Sequence, residues 1–302
     1  MKYYHTLLCV LTAVVTLSSC NNENDGQKQD SPNINKNKVT NDAAVTRFEF
    51  PKLKDGNSVV IVYRTNDDKE YDKDRVNYAV EWDCDKKSQR WSCYQMHKGY
   101  TGQFSRVVDG YMNDPTLDKN DYWRTDYFYG SGYGHGHICP NADRKYSYMA
   151  NYQTFYMTNM QPQYHKFNGY TNSSAGKREG VWLRMEEQVR DWTPRSSADT
   201  LYVCKGGTID HEYQIIERIE GKLIVPKYFF MACLMKNSMG YKAIGFWAEQ
   251  QKDDWQDDES LSAFAVTIDE LEELTGIDFF CNLPDNIENN VESKVALKAW
   301  GL

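Results

Sequence analysis

The chain has 302 residues, of which 40% are hydrophobic and 26% are charged, a composition typical of a globular protein with an apolar core. It contains only 8 Pro and 19 Gly, which excludes a collagen-like chain and a chain that is disordered throughout. The formal net charge of -8 argues against a protein that coats nucleic acid by bulk charge alone, although a local basic site remains compatible with it.

Residues 1–20 are typical of a secretory signal. Lys2 provides a positive start, and the apolar run Leu7–Leu17 is too short for a bilayer span, which needs roughly twenty residues. The run ends in Leu17-Ser18-Ser19-Cys20, which resembles a lipoprotein box, where the cysteine becomes the first mature residue and carries lipid. We therefore expect an exported protein held at a membrane through a lipid on Cys20. A plain secretory signal with a chance cysteine is the alternative.

The remaining chain divides into a predicted tether and one predicted domain. Residues 21–45 hold seven Asn and little apolar material, so we expect a flexible tether there. Residues 46–302 show no second change in composition and are expected to form a single domain. Its six cysteines could form disulfides in an exported protein or remain buried thiols, and the sequence leaves both open. They are Cys84, Cys93, Cys139, Cys204, Cys233 and Cys281.

The folded region is expected to be α+β, with a mostly antiparallel central sheet flanked by helices. Runs rich in β-branched and aromatic residues predict strands. In chain order these are Ser58–Arg64, Asn77–Asp83, Arg90–His97, Thr154–Met157, Leu201–Cys204, Tyr228–Met235 and Tyr241–Ala248. Apolar residues at helical spacing predict a helix over Val181–Trp192. A second helix is predicted over Thr267–Leu274, from a Thr-x-x-Glu capping box to the break at Gly276.

Charge is unevenly distributed along the chain. Residues 131–195 carry eight Lys or Arg against five acids, whereas residues 251–292 carry one Lys against thirteen acids. Such asymmetry is typical of an acidic outer face and a separate working face. For the acidic block, an ordinary solvated surface is the simpler interpretation.

The segment Ser131–Arg144 is the most informative part of the sequence. It reads SGYGHGHICPNADR, and its density of glycine and histidine is not that of a core strand. In an extended segment we expect His135 and His137 to point to opposite faces, so that one metal held by both is a minor alternative. A lone structural histidine is another.

Two further motifs follow this segment. The first is Asn159-Met-Gln-Pro-Gln163, and the second is Asn168 followed, after an insertion, by Gly180-Val-Trp-Leu-Arg-Met-Glu186. In this order they resemble the DNA/RNA non-specific endonuclease family of the ββα-metal (His-Me finger) superfamily. That family's signature is Asp-Arg-Gly-His, then Asn-x-x-Pro-Gln, then Asn-x-Gly-x-Trp-x-x-Leu-Glu. The resemblance extends over roughly residues 58 to 290, and Leu274–Phe280 is similar to the family's C-terminal part.

The resemblance implies a ββα-metal active site and the hydrolysis of DNA and RNA phosphodiesters with little sequence specificity. It implies that His137 is the general base and that Asn168 is the single direct protein ligand of Mg²⁺, with Mn²⁺ or another divalent ion as alternatives. Glu186 would hold metal-bound waters, and Arg190 would contact phosphate. The residue types suit this chemistry, because histidine takes a proton near neutral pH and an amide oxygen is a hard ligand.

The chain departs from the family pattern at two places. Gly134 and His135 occupy the positions of the family's Asp and Arg, so we expect a protonated His135, or Arg144, to supply part of the missing positive charge. The insertion of residues 169–179 makes Asn172 the reserve candidate for the metal ligand.

Three other functions remain open from the sequence. The first is a catalytically weakened surface lipoprotein that binds nucleic acid or another ligand on the same fold. The second is a hydrolase of small phosphodiesters. The third is a zinc hydrolase that uses His135 and His137.

Overall fold

The computed structural model describes residues 42–54, 56–66, 74–100, 102–172 and 176–302. The predicted signal over residues 1–20, the lipidation of Cys20 and the tether as far as residue 41 lie outside the described residues. Within the described ranges, no helix combines the length and apolar character that a membrane crossing requires.

Thirteen strands and six α-helices are formed within the described ranges. The strands are β1 (Ser58–Arg64), β2 (Val76–Asp83), β3 (Ser88–Met96), β4 (Tyr133–His137), β5 (Met160–Tyr164), β6 (Tyr170–Asn172), β7 (Gly176–Arg178), β8 (Thr200–Gly207), β9 (Ile215–Ile219), β10 (Leu223–Pro226), β11 (Tyr228–Asn237), β12 (Gly240–Glu249) and β13 (Ala265–Val266). The α-helices are α1 (Tyr148–Gln153), α2 (His165–Asn168), α3 (Val181–Asp191), α4 (Ile268–Thr275), α5 (Asp285–Glu292) and α6 (Leu297–Trp300).

A seven-stranded sheet with the order β1-β2-β3-β8-β11-β12-β13 forms the centre of the fold, and each neighbouring pair in it is antiparallel. Three two-stranded sheets accompany it, β4 with β5, β6 with β7 and β9 with β10. The α+β class with a mostly antiparallel sheet is therefore confirmed. Strands β4 and β5, followed by a helix, provide the ββα unit that the resemblance implies.

The central sheet buries both of its faces, which places helices on opposite sides of it. In β8, Val203 belongs to one apolar cluster and the adjacent Cys204 to the other, because successive residues of a strand face opposite sides. Helix α3 contributes Trp182 to the first cluster, whereas α4 contributes Leu271 and α5 contributes Val291 to the second. The acidic C-terminal helices are thus separated from α3 by the sheet.

Several sequence predictions of individual elements are confirmed, and two are wrong. Thr154–Met157 is not a strand, because the Thr154 hydroxyl donates to Asn151 O at 2.6 Å at the end of α1 and a 3-10 helix begins at Met157. The fold also begins before residue 46. Ala44 is buried in the second cluster and Asp42 caps a 3-10 helix there, so the predicted tether is too long at its C-terminal end.

The six cysteines that follow residue 46 are all free thiols. Five of them are buried, and Cys281 is partly exposed. The structure therefore favours the buried-thiol alternative over a disulfide framework.

A buried ionic network fixes the β2–β3 hairpin against the loop that follows β8. Arg90 donates to Glu81 at 2.8 Å, to Asp83 at 2.8 Å and to Asp210 at 2.9 Å. Hydrogen bonds from Arg90 and Lys86 hold the pKa of Asp210 well below its ordinary value, although burial opposes this. Because three carboxylates converge on one guanidinium, Arg90 is the residue on which the network depends.

We predict that Arg90→Met lowers the free energy of unfolding by about 3–5 kcal/mol, because it leaves buried carboxylates without their counter-charge. Urea denaturation measures the change. Arg218→Met is the matched control, because Arg218 pairs with Glu212 on the surface, where an ion pair contributes little. Equal effects of the two substitutions would contradict the structural role of Arg90.

Candidate active site

The side chain of Asn159 fixes the chain at the end of β4. Its Nδ2 donates to the carbonyl oxygens of Cys139 and Thr154, each at 2.8 Å, and its Oδ1 accepts from Cys139 N at 2.8 Å. Burying an amide requires such complete pairing, because each unmade hydrogen bond is costly. Asn159 therefore holds the histidine-bearing strand in place and does not face substrate.

Two glycines permit close approaches that position the site. A Cβ atom on Gly136 would lie 2.3 Å from Cδ of the buried Gln163, which is packed across β4 from β5. A Cβ atom on Gly180 would lie 2.1 Å from the carbonyl oxygen of Lys166, so α3 can begin directly against α2 only with glycine there. Gly136 and Gly180, which match the signature that the sequence resembles, thus allow β4, β5, α2 and α3 to pack together.

Helix α3 is attached to the sheet by buried charges. Glu186 accepts from the ammonium of Lys205 at 3.2 Å, and Arg190 donates to Asp143 at 2.9 Å. Asp143 also accepts from the Tyr94 hydroxyl at 2.9 Å. Burial raises the pKa of Glu186, although Lys205 and Arg190 both favour its charged form. These contacts orient the cleft-facing side of α3.

A cavity of about 420 Å³ lies between β4, α2 and α3. Five residues predicted from the sequence line it, namely His135, His137, Asn168, Glu186 and Arg190. The cavity is therefore the candidate active site.

His137 lines this cavity with a buried imidazole ring. Among the described residues its buried Nε2 has no hydrogen-bond partner, and a hydrogen bond with the backbone of His135 opposes the lowering of the pKa of the ring. Burial lowers the pKa of His137 to about 3, and the positive charge of Arg106 adds to this shift. The indole of Trp182 donates to His137 O at 3.2 Å and fixes the strand behind the ring. A neutral imidazole with an unengaged Nε2 is suited to accept a proton.

His135 also lines the cavity, because residues two apart share one face of a strand. The expectation that the two histidines point to opposite faces was therefore wrong. The His135 ring is stacked between Tyr111, with centroids 3.8 Å apart, and Phe128, with centroids 4.2 Å apart. Its Nε2 lies 3.0 Å from Asp126. Burial nevertheless holds the pKa of His135 below its ordinary value, which does not favour the protonated form expected from the sequence.

Arg144 does not reach the cavity, and its predicted contact with substrate was wrong. The side chain is 0% exposed, and its guanidinium lies 4.4 Å from the centroid of the Tyr94 ring. It also donates to the carbonyl oxygen of Gln95 at 3.2 Å. Arg144 is thus a buried structural cation.

Arg106 is a cavity residue that sequence reasoning missed, as is Lys145. It lies in an irregular segment with no motif, and its own φ of 46° is in the left-handed region. Its guanidinium carbon is 5.6 Å from the centroid of the Phe155 ring, and its charge lowers the pKa of both His135 and His137. Within the described residues Arg106 makes no ion pair, so its charge is available to a phosphate.

Comparison with known proteins decides the family. The family described as DNA/RNA non-specific endonuclease matches residues 56–286. The chain belongs to this family. It is 31% identical over 233 residues to a nuclease of Nostoc sp. (strain PCC 7120 / SAG 25.82 / UTEX 2576), covering 72% of this chain and 76% of that protein. It is 21% identical to a nuclease of Serratia marcescens, with 73% and 79% covered.

Two further proteins are similar with a lower coverage or a lower identity. The chain is 27% identical to the human mitochondrial nuclease EXOG, covering 69% of this chain but only 56% of that protein. A crystal structure of the EndoG/EndoGI complex aligns with a TM-score of 0.58 and 19% identity, covering 78% of this chain and 89% of that one. This likeness supports the fold. The family membership and these nuclease relatives identify a nucleic-acid hydrolase.

Members of the DNA/RNA non-specific endonuclease family depend on a divalent metal, and the donors in the cavity fit one. Asn168 offers an amide oxygen, a hard ligand suited to a small dication. The charge of Glu186 is already balanced by Lys205 and Arg190. This suits a carboxylate that accepts hydrogen bonds from metal-bound water rather than one that binds the ion directly. Asn172 lies in β6, and its side chain is outside the described residues.

We predict that, as the pH is lowered, the free energy of unfolding decreases more steeply in the wild type than in His137→Gln. The folded-state pKa of His137 is about 3, against an ordinary value of 6.5. As the pH is lowered, the unfolded chain binds a proton at His137 before the folded chain does. The stabilisation that the neutral, folded His137 provides is therefore complete above about pH 6.5 and is lost progressively as the pH falls toward 3. Denaturant unfolding in chelator-containing buffer measures it. The exposed His211→Gln should follow the wild type, and identical pH profiles for all three proteins would refute the assignment.

Proposed function

We propose that the protein is an exported, Mg²⁺-dependent endonuclease that cleaves DNA and RNA with little sequence specificity. The observation that carries this proposal is the unpartnered Nε2 of His137, which is buried at a cavity bordered by two arginines. A buried ring nitrogen without a partner costs free energy, and a water or substrate hydroxyl at that place would relieve the cost.

In this proposal His137 removes a proton from the attacking water. Burial keeps its ring neutral, the form in which a ring nitrogen can accept that proton. The positive charge of Arg106 disfavours a permanently protonated His137, which keeps the base in its active form. Arg106 and Arg190 then face the phosphate, and a guanidinium can contact two phosphate oxygens at once.

Asn168 is the residue proposed to hold Mg²⁺ directly, with Glu186 holding its waters. The ion would supply positive charge to the phosphate oxygens during cleavage. Mn²⁺ is an alternative occupant, because it accepts the same oxygen ligands.

A zinc site built on His135 and His137 is not supported. Within the described residues, the one group of three metal-binding side chains is elsewhere, and zinc usually has at least three protein ligands.

Low sequence specificity follows from the charges in the cavity. Arg106, Lys145 and Arg190 line it, and such groups contact phosphates. Phosphate contacts position a nucleic acid but do not distinguish its bases. We therefore propose that DNA and RNA are both substrates.

Export and membrane attachment remain proposals that rest on the sequence of residues 1–20. The apolar run and the Leu-Ser-Ser-Cys box support a lipid on Cys20 at a periplasmic or cell-surface face. Metabolic labelling with a fatty acid tests this, because Cys20→Ser should remove the label while the nuclease activity is retained.

We predict that the purified protein nicks plasmid DNA in Mg²⁺ and that chelator abolishes the cleavage. His137→Ala should lower the rate by a factor of roughly 10² to 10⁴, the usual contribution of a general base. The matched control is His211→Ala, which removes an exposed histidine outside the cavity and should keep full activity.

Other outcomes of this experiment would support one of the alternative functions. Cleavage of a small chromogenic diester without cleavage of plasmid or RNA would identify a small-phosphodiester hydrolase. A well-folded wild type that binds nucleic acid but cleaves none, in several divalent metals, would identify the binding protein on a weakened nuclease fold.

We predict that Arg106→Gln lowers the cleavage rate on the order of 10²-fold, because it removes an unpaired cation from the reacting phosphate. It should also reduce the slope of log binding constant against log salt by about one charge. Arg106→Lys should restore the slope but only part of the rate. Lys252→Gln, an exposed cation in the acidic block, is the control. An unchanged salt slope in Arg106→Gln would show that Arg106 does not contact phosphate.

A further inference from the structure

A second group of charged side chains lies on the opposite face of the sheet from the cavity. Asp269 and Glu272 are one turn apart on α4, and Glu292 is the last residue of α5. A carboxylate oxygen of each lies within 4.8 Å of those of the other two. None of the three lines the candidate active site. They belong to the acidic block of residues 251–292, which the nuclease function does not use.

Glu292 shows that this group is more than an acidic surface. Its side chain is 5% exposed, and its buried Oε1 accepts no hydrogen bond from any residue that the structure describes. The adjacent Val291 packs in the apolar cluster beneath. A buried carboxylate without a partner is strongly destabilising. The position adds to the difficulty, because the C-terminus of a helix repels negative charge.

Among the residues that the structure describes, no cation compensates the three carboxylates. Within the described residues, none of them forms an ion pair, and the nearby Lys52 reaches Asp278 at 3.3 Å instead. Glu272 Oε1 accepts a hydrogen bond from Phe279 N at 2.7 Å, which holds that side chain in position. Burial first, and then neighbouring negative charges, raise the pKa of Glu272 to about 7 and that of Glu292 to about 8.

We propose that Asp269, Glu272 and Glu292 bind one Ca²⁺ ion that ties α4 to the end of α5. Oxygen atoms within 4.8 Å of one another can share an ion whose metal–oxygen distances are about 2.3–2.6 Å. An all-carboxylate set suits a hard cation, whereas zinc prefers nitrogen and sulfur ligands. Asp269 is exposed, so water can complete the coordination that Ca²⁺ requires. The ion is structural, because the sheet separates it from the nuclease cavity.

Thermal unfolding of the purified protein at pH 7.5, with and without Ca²⁺, tests the proposal. Ca²⁺ at about a hundred times its dissociation constant should raise Tm by roughly 5–10 °C. Glu292→Gln should abolish this rise. Glu270→Gln, which removes an exposed charge from the same helix, should retain it. Calorimetric titration should show that Glu292→Gln binds one Ca²⁺ fewer than the wild type. Retained nuclease activity of that variant shows that it is folded.

A second variant separates this ion from any Ca²⁺ in the nuclease cavity. Asn168→Ala should retain the Ca²⁺-dependent rise in Tm, and a rise lost there but kept in Glu292→Gln would overturn the proposal. A wild type whose Tm does not change with Ca²⁺, together with a higher Tm in Glu292→Gln, would also overturn it. That result would show that the three carboxylates share a proton and bind no ion. A rise with Mg²⁺ but not with Ca²⁺ would overturn the assignment of calcium.

Discussion

The geometry of the cavity depends on a fully buried lysine in the middle of the sheet. Lys205 lies in β8, the fourth of seven strands, and is 0% exposed. Removing an ammonium from water is costly unless an opposite charge meets it, so a carboxylate has to come to this point. Glu186 on α3 supplies it at 3.2 Å, and this contact sets the rotation of the helix about its axis. Arg190, one turn later, is thereby directed to Asp143 and the cavity.

The polar groups around this contact divide into satisfied and unsatisfied ones. The Asn159 amide has partners for both its nitrogen and its oxygen, and Asp143 has partners for both its oxygens. His137 Nε2 has none, and Arg106 makes no ion pair within the described residues. Satisfied buried groups contribute to stability, whereas unsatisfied ones carry a cost that a ligand can relieve. His137 and Arg106 both line the cavity, so they are groups there that a ligand can engage.

The sequence allows much of the fold to be predicted, and its failures have physical causes. Runs such as Ser58–Arg64 form strands because apolar β-branched residues fill a sheet buried on both faces. Thr154–Met157 has similar residues, but local side-chain bonds to the backbone turn the chain there. His137 and Glu186 can be predicted from the sequence because each lies within a short motif whose residues are close together along the chain. Arg106 is brought to the cavity only by tertiary structure, which no spacing along the chain expresses.

The replacement of the family's Asp-Arg pair by Gly134 and His135 changes where positive charge enters the site. A Cβ atom on Gly134 would lie 3.3 Å from the His165 ring and 3.6 Å from the Asn168 amide, so glycine leaves room beside the proposed metal ligand. His135, stacked between two rings, fills the strand position without bringing a permanent charge. Arg106 brings that charge from a neighbouring segment. The acidic helices lie behind the sheet, so a polyanion is repelled on that side, whereas the cavity presents Arg106, Lys145 and Arg190.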